Sequence, residues 1–399
     1  MSRYIVMFLV LLNSGFPLFY NNDKLFILFH LAVLFYTAAV LYINRFKIEM
    51  RASFRILFYA TLFGALFIAQ YAYFGIFNLH KLAVVLIQFM TALLVLSFLS
   101  KEFWEIYVDV ISILCFVSLL FYFVSFIPAV ESFLLDISFV HPNSTLSGKP
   151  LRNLVLYNFN FGGVEDIYKR NSGPFWEPGA FAGYIVIALY TNYFILVKKS
   201  KRTVLLILTL FTTFSTMGLT AFIFLIFSKY GRSFSFKQVI VFAAIGSLIL
   251  FAPKEITFEK ISKKADLTTG KYETKTRLAS AYLDLIDLID YPVFGRGFVD
   301  ETRYDGSVKF NNRNCGLTDQ IVRLGIPFGL LYFYFYYALF KGSSPRRNSR
   351  IYGLIGLVVI LIIGFSEMYF RFLFFWILNL KGILHVWNSR YSGQFSAKY

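Results

Sequence analysis

The sequence is poor in cysteine and histidine, and each shortage excludes a class of site. Two cysteines among 399 residues, Cys115 and Cys315, supply neither a disulfide framework nor a cysteine-rich metal site. The four histidines occur in neither HxxE nor HExxH spacing, so metal-assisted hydrolysis has no support in the sequence. A GxSxG elbow and a phosphate-binding P-loop are also absent. We therefore predict no metal and no cofactor.

Charged residues are also scarce, at 15% of the chain, whereas 58% of residues are hydrophobic and 20% are aromatic. Because a soluble domain is only about 45–50% apolar, this composition predicts a polytopic membrane protein. The net charge of +17 lies largely in short loops between apolar runs, as in the cytoplasmic loops of membrane proteins. We therefore predict no nucleic-acid partner. The first apolar run lacks a small-residue cleavage site and is expected to be a membrane span.

Apolar runs predict an all-α fold with about twelve transmembrane helices. The predicted spans are 4–20, 25–44, 54–75, 81–100, 106–127, 178–197, 203–214, 217–228, 238–253, 316–340, 351–366 and 371–388. The basic connectors "KKSKR" and "KYGRSFSFK" are both expected on the cytoplasmic side. The segment between them should therefore form two short helices, broken at Ser215 to Gly218.

Two long polar segments, 128–177 and 254–315, are too polar to span a membrane and are expected outside the cell membrane as large loops. Long segments on one side of a helical bundle are frequent locations of function. The predicted regions are N-terminal helices, a first loop, central helices, a second loop and C-terminal helices, at 1–127, 128–177, 178–253, 254–315 and 316–399.

The first loop ends in "KRNSGPFWEPGAFAGY", which contains an arginine, a glutamate and the start of an apolar helix. Pro178 suits the first turn of this helix, and Glu177 directly precedes it. Glu177 can therefore cap the helix, which does not exclude a catalytic role. Arg170 is separated from Glu177 by a Gly-Pro turn, and an arginine near a helix N-terminus at a membrane surface suits anion binding.

The second loop contains "TRLASAYLDLIDLIDYP", whose apolar residues recur at helical spacing. This pattern predicts an amphipathic helix that ends before Pro292. Asp284, Asp287 and Asp290 fall together on another side, where we expect a solvated face rather than a metal site. Arg277 lies in the first turn, where the helix dipole disfavours a cation. An anion is therefore expected to bind there.

Ionisable residues also occur within the apparent start of the next membrane span. Asp319, Gln320 and Arg323 lie there at helical spacing. Charged groups at that depth are costly, so these side chains are expected to face the bundle interior or an aqueous cavity. A simple i,i+4 ion pair between Asp319 and Arg323 is the alternative, and it would line the same cavity.

Three stretches, in this order, resemble bacterial O-antigen polymerases and the related O-antigen ligases. "RNSGPFWEPGAFAGY" resembles their Arg-x-x-Gly-x-Phe-x-Glu/Asn-Pro segment, and "TFSTMGLTAFIFL" is similar to the break between their two short middle helices. "TRLASAYLDLIDLIDYPVFGRGF" resembles the Arg-led helix, ending in Pro-x-x-Gly-x-Gly, of their large periplasmic loop. The resemblance covers residues 165–335 and implies a GT-C-like glycosyltransferase architecture in the bacterial inner membrane, with a periplasmic active face.

The resemblance also implies roles for individual residues. Arg170 and Arg277 match two family arginines that bind lipid-linked pyrophosphate. Ligases have a histidine where this sequence has Asn314, which favours a polymerase. Arg152 and Gly163 fit the loose Arg-x10-Gly spacing of some polymerase loops.

The implied reaction joins undecaprenyl-diphosphate-linked repeat units without a metal, inverts the anomeric carbon and releases undecaprenyl diphosphate. Arginine suits this chemistry because its guanidinium binds phosphate oxygens in pairs. Glu177 is the candidate general base, and Asn314 could orient a sugar hydroxyl. Further substrate contacts are predicted for Arg152, Arg296, Arg313, Asp319 and Arg323. Membrane lipids, a flippase and a chain-length-regulating co-polymerase are the implied partners.

Three other functions stay open at this point. An O-antigen ligase would pass the glycan to a lipid A core or to a protein. A lipid-linked oligosaccharide flippase or other transporter would predict charges dispersed through many spans together with an internal repeat, and no convincing repeat is found. A non-catalytic scaffold of a polysaccharide machine would tolerate the loss of Arg170 and Arg277.

Overall fold

The computed structural model describes residues 1–17, 23–44, 50–99, 102–146, 149–159, 169–197, 201–230, 277–303, 313–345 and 349–395. The predicted span at 238–253, Gly163 and most of the second loop before Arg277 lie outside these residues. In chain order the described helices are α1 (Ser2–Asn13), α2 (Asp23–Ile43), α3 (Met50–Phe74), α4 (Leu79–Leu99), α5 (Phe103–Val124), α6 (Pro128–Asp136), α7 (Pro178–Tyr190), α8 (Lys201–Thr212), α9 (Thr216–Tyr230), α10 (Arg277–Asp290), α11 (Asp300–Arg303), α12 (Gly316–Ser343), α13 (Ser349–Ser366) and α14 (Leu373–Phe395).

Seven helices in the described part of the chain are long and apolar enough to cross a membrane. They comprise α2 to α5, α7 with its extension to Ile195, α12 and α13. Three shorter apolar helices, α1, α9 and the first part of α14, accompany them. The prediction of a helical membrane protein with several spans is therefore confirmed. The number of twelve spans stays a prediction.

The first large loop contains a small β-sheet, which corrects the expectation of an all-α chain. Strands β1 (Phe139–Leu146), β2 (Lys149–Leu154) and β3 (Tyr157–Phe159) form an antiparallel sheet in that order. Tyr157 and Phe159 are buried in a small apolar cluster with Tyr122 of α5 and Leu134 of α6. Strands this short lack the long apolar runs that indicate membrane spans, so hydropathy alone does not predict them.

Helix α7 lies at the centre of the bundle. Its sequence is apolar on every side, and 89% of the segment Pro178–Ile195 is buried, as expected for a helix without a polar face. The Tyr184 hydroxyl donates to the Ser14 carbonyl oxygen at 2.7 Å, and the Tyr107 hydroxyl donates to the Tyr184 carbonyl oxygen at 2.7 Å. These contacts fix the start of α7 relative to α1 and α5.

The predicted pair of short helices is present as α8 and α9, which are separated by residues 213–215. Phe214 in this break has a positive φ of 46°, a conformation that an L-residue with a bulky side chain rarely adopts. The break is centred slightly before the predicted Ser215 to Gly218, so that Gly218 lies inside α9.

The Pro-x-x-Gly-x-Gly segment after α10 is hydrogen-bonded to a kink in α12. The kink is at Gly325, whose φ is 75°. The Arg296 amide donates to the Val322 carbonyl oxygen at 2.7 Å, and the Ile326 amide donates to the Pro292 carbonyl oxygen at 2.8 Å. A Cβ on Gly295 would lie 2.4 Å from the Gly325 nitrogen. Glycine is therefore required for this approach of two backbones, which attaches the second loop to α12.

Candidate functional site

Three parts of the chain converge at the start of α7: Glu177, the first turn of α10, and the connection between α13 and α14. The connection is held there by Tyr369, whose hydroxyl lies 2.9 Å from the Gly179 carbonyl oxygen and 3.0 Å from that of Ala180. Carbonyl oxygens in the first turn of a helix also accept intrahelical bonds, so these are additional contacts. The contacts of the Tyr369 hydroxyl bring Glu367 beside Glu177.

Arg277 lies between the two glutamates. Its Nη2 is 2.7 Å from Glu367 Oε1 and 3.7 Å from Glu177 Oε1, and its Nε donates to the Ser366 carbonyl oxygen. The Arg277 side chain is 40% exposed. The groups that face this arginine at the start of α10 are therefore two glutamates of the protein itself, and the binding of a separate anion there stays a prediction.

Glu177 occupies the predicted N-cap position of α7, but its side chain makes no capping hydrogen bond. The carboxylate instead faces Arg277 and Glu367. It is 30% exposed and therefore partly accessible from outside the protein. Gly179 leaves the space for this arrangement, because a Cβ at that position would lie 2.5 Å from Glu367 Oε1. Helix capping therefore does not explain the position of the Glu177 side chain.

Glu367 is the residue of this cluster that the sequence analysis missed. It is 5% exposed, and burial raises the pKa of its carboxyl group well above the usual range. The neighbouring Glu177 carboxylate raises this pKa further, whereas Arg277 and a hydrogen bond to Trp176 lower it. Glu367 is therefore the carboxyl group of this cluster that favours its protonated form.

One sequence signal could have identified Glu367. It is the only acidic residue of the chain after Asp319, and it stands in the short gap between two predicted spans. A carboxylate among apolar residues at the end of a membrane span is energetically costly, and residues of this kind are commonly functional.

Asn314 lies beside the first turn of α10. Its backbone amide donates to Ser280 Oγ at 3.2 Å, and Asn314 itself is exposed. Because Ser280 follows Arg277 by less than one turn, Asn314 is brought into the neighbourhood of the cluster.

Arg170 lies at the end of α8, where it meets the helix break. Its Nε donates to the Thr213 carbonyl oxygen at 3.1 Å, and its Nη2 donates to the Phe214 carbonyl oxygen at 3.3 Å. The adjacent Asn171 amide donates to the Thr212 carbonyl oxygen at 2.9 Å. Cations favour the C-terminal ends of helices, whose last carbonyl groups lack intrahelical donors. Arg170 thus stabilises the break, and its role in pyrophosphate binding stays a prediction.

Arg303 is the centre of a buried ion network between the second loop and α12. This arginine is fully buried and contacts Asp284 through Nη2, Asp287 through Nη1 at 2.8 Å and Asp319 through Nε at 3.0 Å. The prediction of a solvated aspartate face is therefore wrong for Asp284 and Asp287, whose side chains are 0% and 17% exposed. It holds for Asp290, which is exposed. Burial raises the pKa of Asp284 to about 6, against the opposing effect of Arg303.

The predicted substrate contacts in this region belong to the same network. Arg313 Nη2 lies 3.2 Å from Asp287, and Arg296 Nη1 lies 3.6 Å from the same carboxylate. Arg323 Nε lies 2.7 Å from Asp319, so the i,i+4 ion pair is confirmed, and both residues are buried as expected. Counted over the described residues, the network with Arg303 contains four arginines and three aspartates. Its members hold the loop on α12, and their contact with a substrate stays a prediction.

Arg152 lies in a different part of the protein. It is in strand β2, where its Nη1 donates to the Leu135 carbonyl oxygen at 2.6 Å near the end of α6. The structure therefore places Arg152 in the packing of the sheet against α6.

The cluster of Arg277, Glu177 and Glu367 combines a partly exposed cation with a pair of carboxyl groups. Among the described residues, no group of three or more His, Cys, Asp or Glu is arranged to hold a metal ion. Comparisons of the chain with protein-family models, with curated proteins and with solved structures find no match. In general a partly exposed guanidinium can donate hydrogen bonds to an anion, and a carboxylate can accept a proton.

Proposed function

We propose that this protein is a membrane-embedded glycosyltransferase that joins undecaprenyl-diphosphate-linked oligosaccharide repeat units into a polysaccharide. The observation that carries the proposal is the contact of Arg277 with Glu177 and Glu367 at one end of a helical membrane bundle. The donor of such a reaction is a lipid with a diphosphate at the membrane surface. Its cleavage requires a cation for the departing diphosphate and a base for the attacking hydroxyl.

Arg277 is assigned to the diphosphate. Breaking the bond between the anomeric carbon and the phosphate oxygen leaves an electron pair, and thus negative charge, on that oxygen. A guanidinium can donate two parallel hydrogen bonds to phosphate oxygens, and the Arg277 side chain is 40% exposed. One preorganised donor of this kind stabilises a transition state by about 2.7–4 kcal/mol. The resemblance to O-antigen polymerases at "TRLASAY" supports the same assignment.

Glu177 is assigned as the general base. As the acceptor hydroxyl oxygen forms its bond to the anomeric carbon, its proton passes to the Glu177 carboxylate. Glu367 is a positioning residue, because it is buried and acts through Glu177. A protonated Glu367 holds the Glu177 carboxylate by a hydrogen bond and avoids a second negative charge beside the diphosphate. Such base catalysis typically contributes about 10²–10⁴-fold in rate.

The remaining assignments follow from the resemblance and from the charge distribution. Asn314, in place of the ligase histidine, favours polymerisation, and its position near Arg277 suits orientation of a sugar hydroxyl. The basic connectors favour a cytoplasmic location for the other end of the bundle. The cluster would then face the periplasm from the bacterial inner membrane. A co-polymerase, a flippase and membrane lipids are the partners that this function requires.

A polymerisation assay with defined variants tests the proposal. The purified protein in lipid nanodiscs is given undecaprenyl-diphosphate-linked repeat units without an acceptor core, and the products are separated on a gel. We expect a ladder from the unchanged protein that is lost in Arg277→Ala and Glu177→Gln. Arg350→Ala is the matched control, because Arg350 is exposed near the start of α13, whereas Glu367 follows its end.

Three other outcomes contradict the proposal in different ways. Folded protein that makes no ladder refutes a polymerase. Transfer only after a lipid A core is added indicates a ligase instead. A ladder that survives in Arg277→Ala refutes the assignment of the site.

A further inference from the structure

The amphipathic helix α10 has four large apolar side chains on the outside of the protein. Tyr282 is 47% exposed, Leu285 52%, Ile286 41% and Ile289 77%, whereas Asp284 is completely buried. A helix that faces water has the opposite arrangement, with its apolar side toward the core. The inward aspartates are neutralised by the arginine network, so this orientation is stable only if the outward side is not in water.

The exposed apolar surface continues past the end of α10. Val293 is 52% exposed and Phe294 is 42% exposed. The Tyr291 ring lies 6.1 Å from that of Tyr73 and 5.3 Å from that of Phe74, centroid to centroid. Tyr73 and Phe74 are the last residues of α3, a candidate membrane span. The end of α10 is therefore at the level where α3 leaves the membrane.

The connection from α3 to α4 extends the same surface. Ile76 is 40% exposed, Phe77 47% and Leu79 67%. A cleft of about 210 Å³ is lined by Tyr73 of α3, by Asp290 and by residues 291–295. Tyrosine and tryptophan are enriched at the two membrane–water interfaces, and Tyr73, Tyr282 and Tyr291 belong to this surface. Contiguous apolar surface of this kind marks an interaction site.

We propose that α10 is an interfacial helix, which lies in the plane of the membrane surface. Tyr282, Leu285, Ile286 and Ile289 enter the boundary between head groups and acyl chains, while Asp284 and Asp287 face inward toward Arg303. Interfacial helices insert their apolar side by about 5–10 Å. The partner is the lipid surface rather than a second protein, because the apolar surface is continuous with the ends of two membrane spans.

This orientation has a consequence for Arg277, which is the first residue of α10. A helix that lies in the interface holds its first residue at the depth of the lipid phosphates. The membrane itself would therefore set the depth of the cluster with Glu177 and Glu367. The inference concerns the position of the helix and holds whether or not the proposed reaction is correct.

The test is the accessibility of spin labels in protein reconstituted into vesicles of phosphatidylethanolamine and phosphatidylglycerol. Labels are attached at Leu285→Cys and, as a second independent variant, at Ile289→Cys. Both native cysteines are buried, and the unsubstituted protein gives the labelling background. Ile113→Cys in the middle of α5 provides the lipid reference, and Glu301→Cys, an exposed position in α11, provides the aqueous reference.

We expect both labels to be accessible to oxygen, which concentrates in lipid, and to be less accessible to a water-soluble nickel chelate than the label at Glu301→Cys. Nickel accessibility equal to that at Glu301→Cys would overturn the proposal, because the helix would then face water. Low accessibility to both reagents would also overturn it, because another part of the chain or a second copy would then cover the surface.

Discussion

Arg277 Nη2 lies 2.7 Å from Glu367 Oε1, although the two residues are 90 positions apart in the sequence. Arg277 begins a helix of the second loop, whereas Glu367 follows the membrane helix α13. Their contact joins the loop to the membrane bundle at the start of α7, beside Glu177. The raised pKa of Glu367 and the partial exposure of Arg277 distinguish this cluster chemically from its surroundings.

Substitution of Arg277 tests whether its bidentate geometry is used. Arg277→Ala should lower the rate of glycan transfer by about 10²–10³-fold, as the loss of one preorganised donor does. Arg277→Lys keeps the charge but not the planar pair of donors, so it should recover only part of the rate. The rate is measured at saturating donor, with thermal unfolding as the control for folding. Equal rates for Arg277→Lys and the unchanged protein would contradict bidentate recognition.

Replacement of Glu367 should change how the stability of the protein depends on pH, in a direction that follows from the raised pKa of Glu367. Its pKa is raised from 4.5 in the folded protein. Its contribution to the free energy of unfolding is therefore fully present below about pH 4.5 and is lost as the pH rises through the raised pKa. Glu367→Gln stays neutral, so its melting temperature should exceed that of the unchanged protein at alkaline pH and match it at pH 4.5. Glu301→Gln, at an exposed position, is the control. A melting temperature lowered at every pH would show that Glu367 is needed as a carboxylate.

Glu367→Gln also distinguishes the role of Glu367 in the reaction from that of Glu177. Ionisation of Glu367 at alkaline pH adds negative charge beside the departing diphosphate, so the rate of the unchanged protein should fall there. Glu367→Gln should keep its activity and lose this alkaline decline. Glu177→Gln should instead lose activity at all pH values, because an amide cannot accept the proton. Identical pH profiles for Glu367→Gln and the unchanged protein would exclude the positioning role.

Local features of the fold were predictable from the sequence, whereas contacts between distant segments were not. The bounds of α10 follow from the spacing of its apolar residues and from Pro292, since both signals are local. Periodicity shows that this helix has two faces, but it does not show which one points inward in a membrane protein. The inward direction of the aspartate face is set by Arg303, which lies outside the helix and contacts the buried Asp284. Glu367 was missed for the same reason, because its partners are Glu177 and Arg277.

Gly179 offers a steric test of the cluster that removes none of its functional groups. A Cβ at this position would lie 2.5 Å from Glu367 Oε1, so Gly179→Ala should displace the carboxyl group and lower the rate of transfer. Gly64→Ala in α3 is the matched control, because no atom outside its own helix lies within 4 Å of the added Cβ. Alanine is favoured over glycine within a helix by about 1 kcal/mol, so the control should be as stable as the unchanged protein or more so. Unaltered activity of Gly179→Ala would argue against a role for Glu367.

Arg170 has a structural position and a predicted substrate role, and one variant separates them. Its side chain donates to the Thr213 and Phe214 carbonyl oxygens at the break between α8 and α9. Arg170→Ala removes both hydrogen bonds, one partly buried and one exposed, and a typical hydrogen bond contributes about 0.5–1.5 kcal/mol to stability. We therefore expect a lower melting temperature in lipid nanodiscs, with a rate of transfer that recovers on cooling because the site re-forms. A normal melting temperature combined with a raised KM for the lipid-linked donor would show instead that Arg170 acts on the pyrophosphate. Arg371→Ala, at an exposed position near the cluster, controls for the loss of one positive charge.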